Sequence, residues 1–187
     1  KVYTTGAINM VDVDAAGNGG FGAYLSNDKG YATVSITSVM QRPNWYSGFS
    51  NNGDFGLQII SSGAISLNRV MANNNGTFGL YANNTTAIYP KPITISNSQF
   101  NENRDGTGAY ADSHGLITFN TVTANDNTVL GAHIKNDYVG FNNSVTILNS
   151  TFNSNSYGLT VATRGNILAN GLSASGNDFA GVQMSND

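Results

Sequence analysis

"GAISLNRVMANNNGTFG" (residues 63–79) and "GLITFNTVTANDNTVLG" (residues 115–131) have one length, nearly one apolar rhythm and few letters in common. Kindred stretches fill residues 6–22 and 165–181. A pattern that recurs in this way is read first as repeat architecture. With the second glycine of each stretch as anchor, anchors fall at Gly22, Gly56, Gly79, Gly108, Gly131, Gly158 and Gly181. The spacings are 34, 23, 29, 23, 27 and 23 residues, so long and short turns alternate.

The residue after each anchor is Ala23, Leu57, Leu80, Ala109, Ala132, Leu159 or Val182. Two further on stand Leu25, Ile59, Ala82, Ala111, Ile134, Val161 and Met184. All of these are apolar. Between them lie Tyr24, Gln58, Tyr81, Tyr110, His133, Thr160 and Gln183. Alternation of this kind predicts a short strand with one buried face.

A second register pairs apolar residues five apart: Ile8/Val13, Val34/Val39, Ile65/Val70, Ile95/Phe100, Ile117/Val122, Ile147/Phe152 and Ile167/Leu172. In the short turns Ala15, Ala72, Ala124 and Ala174 follow, and then Asn18, Asn75, Asn127 and Asn177. Asparagine suits a corner because it tolerates the left-handed region and its amide bonds nearby backbone. Stacked corners would let the amides bond along the column. Ile65, Leu67, Val70 and Ala72 are expected to point inward.

A 23-residue unit with three short strands buries a core only by stacking on its neighbours. The expected fold is therefore all-β: a parallel β-helix, or solenoid, of about seven turns over residues 1–187, with three strands per turn. A strand spacing of about 4.8 Å makes it a rod of roughly 34 Å. Helical repeats of similar period need a 3.6-residue rhythm, which is missing here.

Charged residues make up 10% of the chain, against about 25% in an ordinary soluble domain. Asn, Ser, Thr and Gly take their place, and this polar, uncharged surface points to an extracellular or cell-surface location. The net charge of −3 with no basic run argues against nucleic acid. No stretch approaches the length of a membrane span. Cysteine is absent, so there are no disulfides and no thiolate metal sites.

The pattern I-x-x-x-x-F-x-x-N, in "ISNSQFNEN" (95–103) and "ILNSTFNSN" (147–155), resembles the right-handed parallel β-helix repeats of the pectin-lyase-like superfamily. The style of residues 157–177 is similar to the repeats of large bacterial surface proteins. The resemblance covers nearly the whole chain. It implies the fold far more than the function, because the superfamily holds lyases, hydrolases, tailspikes, adhesins and passive stalks.

Enzymes of that superfamily cluster carboxylates, as calcium ligands or as general acids and bases. The eleven acids here are scattered. Asp28 and Asp137 hold matching loop positions but stand four turns apart, roughly 19 Å. Asp112 and Lys135 occupy equivalent positions on adjacent turns and should form an exposed ion pair. Asp12 and Asp14 alternate on one strand, where they could hold a cation or simply aid solubility. His133 has Tyr110 and Thr160 as column neighbours, which is no catalytic grouping. Neither a catalytic residue, a metal nor a cofactor is assigned.

Long turns carry extra residues at 27–31, 84–91 and 136–143, expected to form one lateral row, and in an insertion at 42–55. Tyr31, Tyr89 and Tyr138 ride on the row; Trp45 and Tyr46 ride on the insertion. Tyr24, Tyr81 and Tyr110 form an outward column. These eight rings are the candidate contacts for a glycan or a protein partner. The competing reading folds them over the rod as cover.

Both ends of the sequence read as cut surfaces of a continuing stack. That predicts either a longer solenoid or chains that stack on copies of themselves, end to end or laterally. The leading functional expectation is an extracellular structural solenoid forming a stalk, sheath or filament. A glycan-binding adhesin or tailspike-like module is the alternative. A polysaccharide lyase or hydrolase is the third.

Overall fold

In the computed structural model, which describes residues 1–39 and 46–186, the alternating segments pair with their own copies. One parallel sheet runs through Val2–Tyr3, Ala23–Asn27, Leu57–Ser61, Leu80–Asn83, Ala109–Asp112, Leu130–Asn136, Tyr157–Thr163 and Ala180–Asn186. A second runs through Ile8–Val11, Val34–Thr37, Ile65–Asn68, Ile93–Gln99, Ile117–Thr123, Val145–Leu148 and Ile167–Asn170. Every pairing is parallel and in register, and no helix occurs among the described residues. The chain is a parallel β-solenoid of seven coils, here numbered 1 to 7 by their anchor glycines.

The third face is less independent than three strands per turn suggests. It consists of Ser47–Gly48, Val70–Met71, the ends of Ile93–Gln99 and Ile117–Thr123, and single bridges at Asp14, Thr151 and Ser173. Among the described residues one residue turns the chain onto it in six of the coils: Asp12, Arg69, Asn97, Thr121, Asn149 and Gly171, with φ between 49° and 66°. That left-handed conformation is costly for a residue with a Cβ, least so for Asn and Asp.

The core residues read from the repeat are inside: Ile65 is 1% exposed and Leu67, Val70 and Ala72 are 0%. The five-apart register needs correction in the long coils. Backbone pairing sets Ile93, not Ile95, against Ile65 and Ile117. Ser98 then falls opposite Val70 and Val122, and Phe100 beside Ala72 and Ala124.

Two columns therefore alternate along the rod. Val13, Ser47, Val70, Ser98, Val122, Ser150 and Leu172 form one; Ala15, Phe49, Ala72, Phe100, Ala124, Phe152 and Ala174 form the other. A small serine accompanies each phenylalanine and a valine, or Leu172 in coil 7, accompanies each alanine, so coil volume is conserved. The buried hydroxyls are satisfied. Ser98 Oγ donates to the Ser96 carbonyl at 2.7 Å and accepts the Val70 N–H at 3.1 Å. Ser150 repeats this with Leu148 and Val122.

Val39 does not join Val34 in the core; it is 63% exposed. Ser47 and Phe49, both 0% exposed, take the inward places of coil 2. Residues 47–55 thus belong to the coil, so the insertion expected at 42–55 does not extend past Tyr46; residues 40–45 lie outside the described residues.

The asparagine column is longer than its short-turn members predict. Asn18, Asn52, Asn75, Asn103, Asn127, Asn155 and Asn177 form one unbroken ladder, each Nδ2 donating to the next Oδ1 at 2.9–3.3 Å. The same Oδ1 atoms accept the backbone N–H of the preceding ladder residue at 2.8–3.0 Å. The left-handed residue is not the ladder asparagine but its predecessor: Gly17, Asn51, Asn74, Glu102, Asp126, Ser154 or Gly176. A second amide column, Asn73, Asn101, Asn125 and Asn153, bonds in the opposite direction.

At the remaining corner the coils again alternate. Short coils close through Ser61, Ser113 or Thr163, whose hydroxyl accepts the N–H of the glycine two residues on at 2.8–3.0 Å. Long coils open into loops that begin at the buried Asn27, Asn84 and Asn136. Each Nδ2 donates across its loop, to the carbonyl of Ala32, Lys91 or Asn143 at 2.6–2.9 Å. In the seventh coil Val182 and Met184 stay 41% and 38% exposed, where Leu159 and Val161 one coil earlier are 1% exposed.

Candidate functional site

The first sheet presents outward side chains at alternate positions, and its in-register pairing stacks like on like. Tyr81 and Tyr110 are directly paired, with ring centroids 4.9 Å apart and planes 5° apart. Beside them runs a second column that the sequence reading passes over. Phe21 stacks on Phe55 at 5.4 Å and Phe55 on Phe78 at 5.1 Å, with planes 8° and 6° apart. Its signal was legible: a phenylalanine precedes the anchor glycine in each of the first three coils.

Phe55 and Phe78 meet Tyr81 edge-on at 6.2 and 6.0 Å, and Phe78 meets Tyr110 at 6.3 Å. Stacked rings turn their faces toward the neighbouring coils and leave edges and hydroxyls toward solvent. Tyr24, separated from Tyr81 by Gln58, packs instead on Tyr3 at 5.4 Å and lies under the Lys1 ammonium at 5.8 Å. Tyr24, Tyr3 and Asp28 border an open groove of about 450 Å³.

Asp112 gathers the most concentrated polar chemistry on this sheet. It is 5% exposed. Tyr138 Oη donates to its two oxygens at 2.8 and 2.9 Å, and Tyr110 Oη lies 3.3 Å away. The expected exposed ion pair with Lys135 is replaced. The register is as read, but the carboxylate takes phenol hydroxyls and the Lys135 ammonium sits 4.8 Å over the Tyr138 ring, a cation–π contact.

His114 completes this cluster. It stacks on Phe141 at 4.6 Å and meets Tyr138 edge-on at 4.5 Å. Burial raises the pKa of both Tyr110 and Tyr138, and the Asp112 carboxylate adds to the rise. Burial lowers that of His133, which meets Tyr110 edge-on at 5.2 Å. The group is a clasp: a buried acid holds the loop at 136–143 down by the hydroxyl of Tyr138.

The other loop rings behave differently. Tyr31 and Tyr89 are 60% and 72% exposed. On the third face, Tyr46 accepts a hydrogen bond from Gln99 Nε2 at 3.1 Å, and Arg69 lies 6.0 Å from its ring centre. Tyr46, Arg69, Gln99, Thr121 and Thr123 border a groove of about 430 Å³. Trp45 lies outside the described residues. The seven candidate rings among the described residues fall on three surfaces.

Asp12 accepts from Ser38 Oγ at 2.6 Å and from the Val39 N–H at 3.0 Å. Among the described residues no three of His, Asp or Glu come together as a metal site. Comparison of the chain with family models, curated proteins and solved structures yields no match.

Proposed function

We propose that this chain is a structural β-solenoid, part of an extracellular stalk, sheath or filament, built from coils of the pectin-lyase-like kind. The observation that carries the reading is the unbroken asparagine ladder from Asn18 to Asn177. Side chains able to do chemistry are spent on joining one coil to the next. The stacked phenylalanines, the paired tyrosines and the buried serines serve the same end. A following coil, from the same chain or from a second copy, would cover Val182 and Met184. The low charge and the Asn, Ser and Thr surface support an extracellular place.

Electron microscopy with fibre diffraction of the natural protein tests this. Thin straight rods with an axial reflection near 4.8 Å are expected. Compact particles without that repeat would sink the proposal.

A second reading, glycan binding, is favoured by Tyr31 and Tyr89. These rings are mostly exposed and, unlike the stacked columns, take part in no ring contact among the described residues. A glycan array run with the wild type, Tyr89→Ala and Trp45→Ala checks it. Binding that is lost in the variants is expected; an array silent with the wild type removes the reading.

A further inference from the structure

The outward face of the second sheet has a composition unlike the rest of the surface. Its two columns read Asn9, Ser35, Ser66, Thr94, Thr118, Thr146, Leu168 and Val11, Thr37, Asn68, Ser96, Asn120, Leu148, Asn170. No charged residue and no aromatic ring occurs at any of these positions. Pairing is in register throughout, so both columns run unbroken from coil to coil.

The columns differ in their bonding. In the second, Ser96 Oγ donates to Asn68 Oδ1 at 3.1 Å and Asn68 Nδ2 donates to Thr37 Oγ1 at 3.4 Å, so these groups are tied along the rod. In the first, Ser35, Ser66, Thr94, Thr118 and Thr146 stand on five consecutive coils. Among the described residues none of these hydroxyls has a hydrogen-bond partner in the protein. All five are half-buried on the outward face. They repeat at about 4.8 Å along the rod, with the second column roughly 6.6 Å away across the strand. Threonine is stiff at χ1, so its hydroxyl and methyl are held in place before any contact is made.

The array is periodic along the rod, because each member pairs with its counterpart one coil on, and a periodic array suits a periodic partner.

We infer that this face, centred on Thr94, Thr118 and Thr146, is a binding surface for ice. Its axial repeat is close to, and slightly longer than, the shortest lattice translation of ice. The complementarity is one of neutrality: a charged side chain would hold a hydration shell that the lattice cannot accommodate, and this face has none. A crystalline polysaccharide fits less well, because sugar faces are recognised by exposed ring faces and no ring is present. A second copy fits less well, because the face offers little apolar area to bury.

The test is thermal hysteresis and ice recrystallisation in a frozen film, with the purified full chain. The wild type should separate freezing from melting and keep ice grains small. Thr118→Lys and Thr118→Tyr should lose most of both effects, at an unchanged melting transition by circular dichroism. Thr160→Tyr, on the first sheet, should keep them. Thr118→Lys changes an outward-facing side chain on a regular strand, so it remains informative should the tyrosine variant fold poorly. A wild type without either effect overturns the inference, as does full activity in Thr118→Lys. Adsorption to powdered cellulose or chitin without an effect on ice, or self-association that Thr118→Lys abolishes, assigns the face to a polysaccharide or a second copy and overturns it too. The structural proposal stands or falls separately, on the micrographs.

Discussion

The side-chain nitrogen of Asn103 occupies the space beside Gly79: a Cβ placed on that glycine would stand 2.8 Å from Asn103 Nδ2 and 2.6 Å from the carbonyls of Ala72 and Gly108. Anchor and ladder are therefore one device. The glycine is required because the amide and two backbone oxygens approach it, not because of its torsion angles. At Gly56, Gly108, Gly131 and Gly158 a Cβ would likewise stand 2.6–2.7 Å from the ladder amide nitrogen of the following coil.

Gly79→Ala is expected to destabilise the chain by about 3 kcal/mol, since neither carbonyl can retreat without moving a coil. Asn103→Ala should cost a similar amount, about 3 kcal/mol, by leaving the buried N–H and Nδ2 of Asn75 without an acceptor. Urea denaturation followed by circular dichroism measures both. The double variant should cost less than the sum, because the two share one space.

The alternation of Phe100 with Ala124 predicts an asymmetric pair of outcomes. Phe100→Ala removes a ring that is 0% exposed and should cost about 3–5 kcal/mol. Ala124→Phe places a third large ring between Phe100 and Phe152 on consecutive coils and should cost about 1–3 kcal/mol through overpacking. Ser98→Ala leaves the Val70 N–H unpaired and should cost about 1–3 kcal/mol. Midpoints from the same denaturation series decide all three.

Thr121 turns its corner at φ 57° although it is β-branched, a conformation rare for such residues. Its column neighbours Asn97 and Asn149 show the residue type that bears it better. Thr121→Asn should stabilise the chain by about 1 kcal/mol, read as a higher melting temperature.

The clasp at Asp112 makes stability depend on alkaline pH. Tyr110 and Tyr138 have pKa values raised in the fold, by burial first and by Asp112 next. The unfolded phenols ionise near pH 10 while the folded ones do not. Stability is thus fully present below that pH and falls as pH rises through and beyond it. Tyr138→Phe should flatten this alkaline slope. It should also speed hydrogen exchange in residues 137–142, which the hydroxyl pins to Asp112 at 2.8 Å. An unchanged slope and unchanged exchange would show that the hydroxyl holds nothing.

The solenoid was legible because its columns recur in the sequence at near-constant offsets from a glycine. Ile65, Leu67, Val70 and Ala72 could be placed inward from the repeat alone. The long coils were harder. Ile95/Phe100 has the same spacing as Ile65/Val70 but lies two residues further along the ladder, because a serine and a phenylalanine exchange roles with a valine and an alanine. Val39 looked like a core residue because it stands five from Val34, yet the chain has already left the coil there. The position of the rings was readable and their attitude was not. Whether Tyr81 offers a face or an edge depends on a side-chain torsion set by Tyr110 one coil away, and that is a packing outcome which no spacing encodes. The clasp was half visible: Asp112 and its register with Lys135 could be read, but not the loop that carries Tyr138 onto it.

The exchange of Val–Ala for Ser–Phe has a bearing on how such a rod can change its length. Deleting one coil would bring two like coils together, either ring against ring or two alanines facing a void, and would leave a buried serine or valine with the wrong partner. Deleting two in succession restores the alternation. Growth and shortening by gene duplication or loss should therefore proceed in doublets. The heritable unit of this solenoid is the pair of coils, and its length is quantised accordingly.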